Sequence, residues 1–171
     1  MQISKQPIKL GNIIIRNRTV SSPLGINMAN EDGSVTENIV SYFSNLAKND
    51  LGIVTVGAVA VSKEGGDTHN TMHAGKINHF SGLKKLSDSI KNFGARSCIQ
   101  LFHVGAQGNT HYSGQPVVGP SNYIVPDIGI KAEVLSIKDI NRIENDFINS
   151  IHQAHEAGFD LIEIHMGHGY L

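Results

Sequence analysis

The sequence predicts an α/β protein of the (β/α)8 TIM-barrel type: a short N-terminal β-hairpin followed by the first four β/α units of such a barrel, one domain over residues 1–171. Three observations carry this. Four apolar strand-like runs alternate with three helical patterns, the order that makes a parallel sheet. The runs from Gly52 to Val61 and from Arg96 to Val104 are apolar on both faces, as strands covered on both sides are. Small and polar residues gather at the C-terminal ends of successive runs: Ser22, Ala58 after Gly57, Gln100 with His103, and His165 with His168. Barrel enzymes build their sites at that rim. A doubly wound dinucleotide-binding sheet would show G-x-G-x-x-G after its first strand, and SSPLGINMANEDG lacks it.

Taken in order, IKLGNIIIRN reads as a hairpin around Gly11-Asn12. RTVSSPLGI is the first strand of the main sheet, ending at Ser22-Pro23. Thr36 opens a helix with Ile39, Phe43, Leu46 and Ala47 at helical spacing. A second helix carries Leu83, Leu86, Ile90 and Phe93 on one face and stops at Gly94. After the third strand comes a loop of roughly thirty residues, a length that marks function or disorder. Ser136 to Asp139 is a capping-box start for a third helix, with core face Ile140, Ile143, Phe147, Ile151 and Ala154 and its end at Gly158. FDLIEIH is the fourth strand.

Lysine and arginine number 14 against 15 aspartates and glutamates, with no basic stripe, so nothing here offers nucleic acid an electrostatic footing. No stretch approaches the roughly 20 apolar residues that cross a bilayer, and MQISKQPIKL has no apolar secretory core. The single cysteine, Cys98, sits in an apolar run and reads as a buried thiol. The expectation is a cytoplasmic protein.

Gln100 is the most telling candidate. An amide among Cys98, Ile99, Leu101 and Phe102 is costly to bury without partners, and a planar heterocycle with alternating donors and acceptors would satisfy it. Gly105 and Ala106 leave room for such a group over the rim. His165 and His168 admit two readings: a metal pair completed by His103, or imidazoles capping a strand end. Alternation turns Glu163 to the opposite side of its strand from Ile164. The pairs His69/His73 and His152/His155 are weaker, the latter a surface feature of a helix flank.

AGFDLIEIHMGHGYL, IQLFHVGAQG, NRTVSSPLG and the GPSN from Gly119 to Asn122 together resemble the old yellow enzyme family, FMN-dependent NAD(P)H oxidoreductases that reduce α,β-unsaturated carbonyls. The motifs are collinear and span essentially the whole chain. The resemblance implies FMN as cofactor, NADH or NADPH as hydride donor and a small enone-like substrate. It implies that Ser22, Pro23, Leu24 and Gly25 lie along the flavin, that Ala58 leaves space for the ring, and that Gln100 bonds its pyrimidine edge. His165 and His168 would bind the substrate's carbonyl oxygen, where negative charge develops. Tyr170 would protonate the substrate carbon or at least line that pocket, and Asn27 would line it as well. No metal is implied.

Three positions depart from the family's habit: Gly25 where relatives carry cysteine or threonine, Asn27 near a pocket tyrosine, and Ala106 in place of an arginine. They bear on flavin tuning and substrate choice. A full barrel takes about 250 residues and eight strands. The chain is therefore expected to be the N-terminal half of one, a truncated product, or a unit that associates with a second half-barrel or with itself. A catalytically inactive half-barrel serving as an assembly or binding module is the alternative.

Overall fold

A computed structural model of the chain describes residues 2–126 and 129–171. The elements run β1 (Ile8–Leu10), β2 (Ile13–Ile15), β3 (Val20–Ser21), α1 (Glu37–Ala47), β4 (Ile53–Ala60), α2 (Phe80–Lys91), β5 (Arg96–Phe102), α3 (Thr110–Ser113), β6 (Val118–Gly119), β7 (Glu133–Val134), α4 (Ile137–Glu156) and β8 (Leu161–Ile164). β1 and β2 form the antiparallel hairpin, turning at Gly11 with φ +57°. β3, β4, β5 and β8 make one four-stranded sheet in that order, every neighbour parallel.

Alternation along the strands gives the sheet two unlike faces. On the outer face Val54, Val56, Ile99 and Leu101 meet Ile39 and Phe43 of α1, Leu83, Leu86 and Ile90 of α2, and Ala154 of α4, all fully or almost fully buried. The helices start on the expected caps. Thr36 accepts from the Ile39 N–H at 3.3 Å, and Ser136 with Asp139 closes a reciprocal capping box. On the inner face the hairpin plugs the N-terminal end: Ile15 and Ile8 pack on Ile53, Cys98 and Leu161. Arg16 fastens that plug, donating to the carbonyls of Phe93 at 2.8 Å, Leu51 at 3.0 Å and Ala47 at 3.3 Å. A cation there suits the negative C-terminal ends of α1 and α2.

Three expectations are corrected. The first strand is only two residues long, because Pro23 offers no N–H to a ladder and the chain turns so that Leu24 bridges antiparallel to Gly57. Phe93 lies beyond the end of α2 and is 40% exposed, with the Lys48 ammonium 5.3 Å from its ring centre. The long loop is not structureless: it holds α3 and the small parallel pair β6–β7.

Candidate functional site at the strand ends

β4 carries one extra residue opposite β5. Val56 pairs with Ile99 and Val59 with Leu101, so three steps on β4 match two on β5, a β-bulge at Gly57-Ala58. The bulge brings both small residues to the inner face. A Cβ built on Gly57 would stand 2.8 Å from the Pro23 Cβ and 3.1 Å from the Gln100 Cβ, so glycine is what lets the loop after β3 close on β5. Ala58, half-buried, packs against the cluster of Ala60, Phe102 and Val104, as Tyr170 does.

Gln100 lies on this face, opposite the helices, and is 7% exposed. Its partner is Glu163, directly across in register on β8; Gln100 Nε2 donates to Glu163 Oε1 at 2.5 Å. An ionised carboxylate only accepts, so it takes the amide N–H and leaves Oε1 on the β4 side, beside Gly57. No donor among the described residues reaches that oxygen. Ser22, Leu24 and Gly25 are exposed on the neighbouring loop, Leu24 at 58%. The rim thus offers one free, well-held acceptor, two small residues and an accessible backbone segment, which fits a flat ring bearing an N–H.

The end of β8 supplies donors. The His165 N–H continues the ladder to Leu101 O at 2.9 Å, and His168, at φ +59°, turns the chain back so that its Nδ1 lies 3.2 Å from His165 Nε2. His165 Nδ1 accepts from the Gly167 N–H at 3.1 Å. In a neutral imidazole one nitrogen accepts and the other donates, so His165 Nε2–H donates to His168 Nδ1, and His168 Nε2–H remains the free donor. Tyr170 is stacked between His165 at 4.8 Å and Phe102 at 5.4 Å. Burial, with Asp67 as a second cause, pushes its phenol pKa up, so it holds its proton through the neutral range.

Sequence reasoning missed four contributors: Glu163 as the partner of Gln100, Phe102 under Tyr170, Asp67 beside it, and Gly57 as the close contact between the loop after β3 and β5. An isolated glycine inside a strand is a known sign of a bulge; the other three depend on pairings distant in sequence. Asn27 sits exposed at φ +48°, with its Oδ1 over Gly25. His103 is fully buried, its Nδ1 accepting from the Gly105 N–H at 3.1 Å, and burial lowers its pKa to about 4. Among the described residues no three His, Cys, Asp or Glu side chains come together as a metal site would need. His152 and His155 lie exposed on α4.

The chain as a whole is similar to known proteins. The chain is 31% identical over 165 residues to an NADH oxidase of Thermoanaerobacter brockii, covering 95% of the chain and 25% of that protein. It is 29% identical over 166 residues to an NADPH dehydrogenase of Bacillus subtilis, covering 96% and 48%. The crystal structure of an Old Yellow Enzyme from Pichia sp. superposes with a TM-score of 0.90 at 25% identity, over 99% of this chain and 47% of that one, which puts the four β/α units in the expected barrel class. The chain thus spans a quarter to a half of the length of these relatives. A family profile matches residues 5–171, nearly the whole chain, and by that match the chain belongs to the NADH:flavin oxidoreductase / NADH oxidase family.

Proposed function

We propose that the chain forms the N-terminal half of an FMN-dependent NAD(P)H oxidoreductase of the cytoplasm that reduces alkenes conjugated to a carbonyl, completed by a second half-barrel. The observation that carries this reading is the meeting of two chemistries on adjacent strand ends. Gln100 on β5 presents a free amide oxygen, and beside it β8 ends in an imidazole pair. FMN, when bound, supplies hydride exchange, taken from NADH or NADPH and given to the substrate.

The chain's own residues bind and orient. Were FMN bound, Gln100 Oε1 would accept from the ring's N–H, Ala58 would leave room for the ring, and the backbone from Ser22 through Pro23 and Leu24 to Gly25 would line it. His168 Nε2–H points a donor at the substrate's carbonyl oxygen. A turn of either ring out of the His165–His168 contact frees His165 Nε2–H as a second. Two N–H donors at one place serve a developing oxyanion. Tyr170 keeps a proton available for the substrate carbon, and Asn27 lines the approach.

The test is His165→Ala with His168→Ala in the complete enzyme, this chain together with its second half-barrel. Loss of an oxyanion donor lowers the rate about 10²–10³-fold in studied enzymes. Alkene reduction and binding of phenol-type ligands are expected to fall on that scale, with FMN content unchanged. An unaltered reduction rate in the double variant removes these histidines from the reaction.

A further inference from the structure

We propose that Glu163 is a positioning residue of the flavin site: it orients the Gln100 amide so that an acceptor faces the ring, and it sets a negative charge beside the pyrimidine edge that disfavours the reduced cofactor. This rests on the FMN reading of the site and deepens it.

The geometry supplies both halves. A glutamine amide has two ends of nearly equal size, and only its hydrogen-bond partners decide which way it turns. Gln100 and Glu163 are cross-strand neighbours on the inner face, and the carboxylate takes Nε2. Oε1 is left near Gly57, at 3.5 Å from where a Cβ there would stand, on the side of the Ser22–Gly25 loop. A carboxylate cannot donate, so it excludes the flipped amide. Glu163 is itself exposed on the inner side and has no cation within ion-pair distance among the described residues. Its charge is felt across that face: Cys98, two residues before Gln100, has its thiol pKa raised to about 11, by burial first and by Glu163 second. A flavin gains negative charge on its pyrimidine edge when reduced. A carboxylate next to the residue that grips that edge therefore weakens binding of the reduced form more than of the oxidised form.

The experiment is a pair of titrations of the chain assembled with its completing half-barrel, with oxidised FMN and, without air, with dithionite-reduced FMN, each followed by fluorescence or absorbance. The quantity read is the ratio of the two Kd values. Glu163→Gln keeps an acceptor for Gln100 and removes the charge. It should leave oxidised FMN affinity within about threefold and shift the ratio roughly five- to tenfold in favour of reduced FMN. Glu163→Leu should shift the ratio equally and also weaken oxidised FMN roughly fivefold, because the freed amide loses its orientation. Should Glu163→Leu not fold, the ratio in Glu163→Gln decides alone. A ratio unchanged in Glu163→Gln, or moved towards oxidised FMN, overturns the inference while leaving the FMN site standing. A wild-type assembly of the two half-barrels that binds neither form at millimolar FMN overturns the flavin reading itself and this inference with it.

Discussion

The two faces of the same four strands behave as different materials. The outer face is a closed hydrocarbon interior in which Val54, Val56, Ile99 and Leu101 disappear under three helices. The inner face, one residue out of phase, carries Thr55, Cys98, Gln100 and Glu163 and is closed by the hairpin only at its N-terminal end. Alternation makes this division possible, since neighbouring residues on a strand look in opposite directions. Stability and chemistry can therefore be altered separately, and the division predicts which substitutions touch which.

The largest effects should separate the faces cleanly. Leu86 is fully buried between α2 and the sheet. Leu86→Ala should cost about 2–5 kcal/mol of unfolding free energy, through lost burial and a residual cavity, and show in urea titration as an earlier midpoint. Gln100→Leu, on the inner face, should change that midpoint far less while weakening FMN binding. If Gln100→Leu destabilises as much as Leu86→Ala, the inner face is core and the division fails.

Acid should act next, through imidazoles buried below the rim. Burial is the first cause of the lowered pKa of both His73 and His103, each to about 4 from 6.5. In the folded chain these rings refuse protons that the unfolded chain accepts below pH 6.5. Stability should fall as pH drops from about 6.5 towards 4 and level off below, by about 3 kcal/mol for each group. Chemical denaturation at stepped pH measures it, and His103→Gln should flatten part of that slope. A midpoint independent of pH across the window would mean that these rings are open to water in solution.

What the sequence made legible follows from the same contrast. The outer face announces itself, because β4 and β5 are continuous apolar runs and the helices repeat at 3.6 residues between recognisable caps. Alternation also sends Glu163 to the side of its strand opposite Ile164. It does not say that Gln100 lies across from it, since register between strands some sixty residues apart is set by packing. Likewise the spacing of His165 and His168 shows two imidazoles near one another. That one consumes the other's acceptor follows from His168 at φ +59° and the Gly167 N–H, which spacing does not reveal. Phe93 falls outside the helix that its spacing predicts, because periodicity continues past the residue at which the helix ends.

Gly57→Ala probes the seam between the faces. The added methyl would meet Pro23 and the base of the Gln100 side chain, both in packed surroundings. Overpacking of this kind costs about 1–3 kcal/mol, and the strain should spread to the Ser22–Gly25 loop. Loss of FMN affinity alongside a modest drop in thermal midpoint is the expected pair of results. A drop in stability with FMN affinity intact would show that the loop does not follow the strand.

The smallest effect should come from the start of α4, where the outer face is most thinly covered. Ile137 is 74% and Ile148 48% exposed on this helix, so tertiary packing holds it less firmly than α1 or α2. Its first turn depends instead on Ser136, whose oxygen accepts from the Asp139 N–H while the Asp139 carboxylate accepts from the Ser136 N–H at 3.1 Å. Ser136→Ala removes one half of that exchange and should cost about 1 kcal/mol. Thr36→Ala is the internal control: Thr36 caps α1, whose Ile39 and Phe43 are buried, so its first turn should stay protected by packing even without the cap. Amide exchange reads the difference directly. Ser136→Ala should speed exchange in the first turn of α4 well beyond its effect on global stability, while Thr36→Ala should change exchange in α1 only in proportion to the global loss. Equal local fraying in both helices would mean that the outer face is no better packed at α1 than at α4.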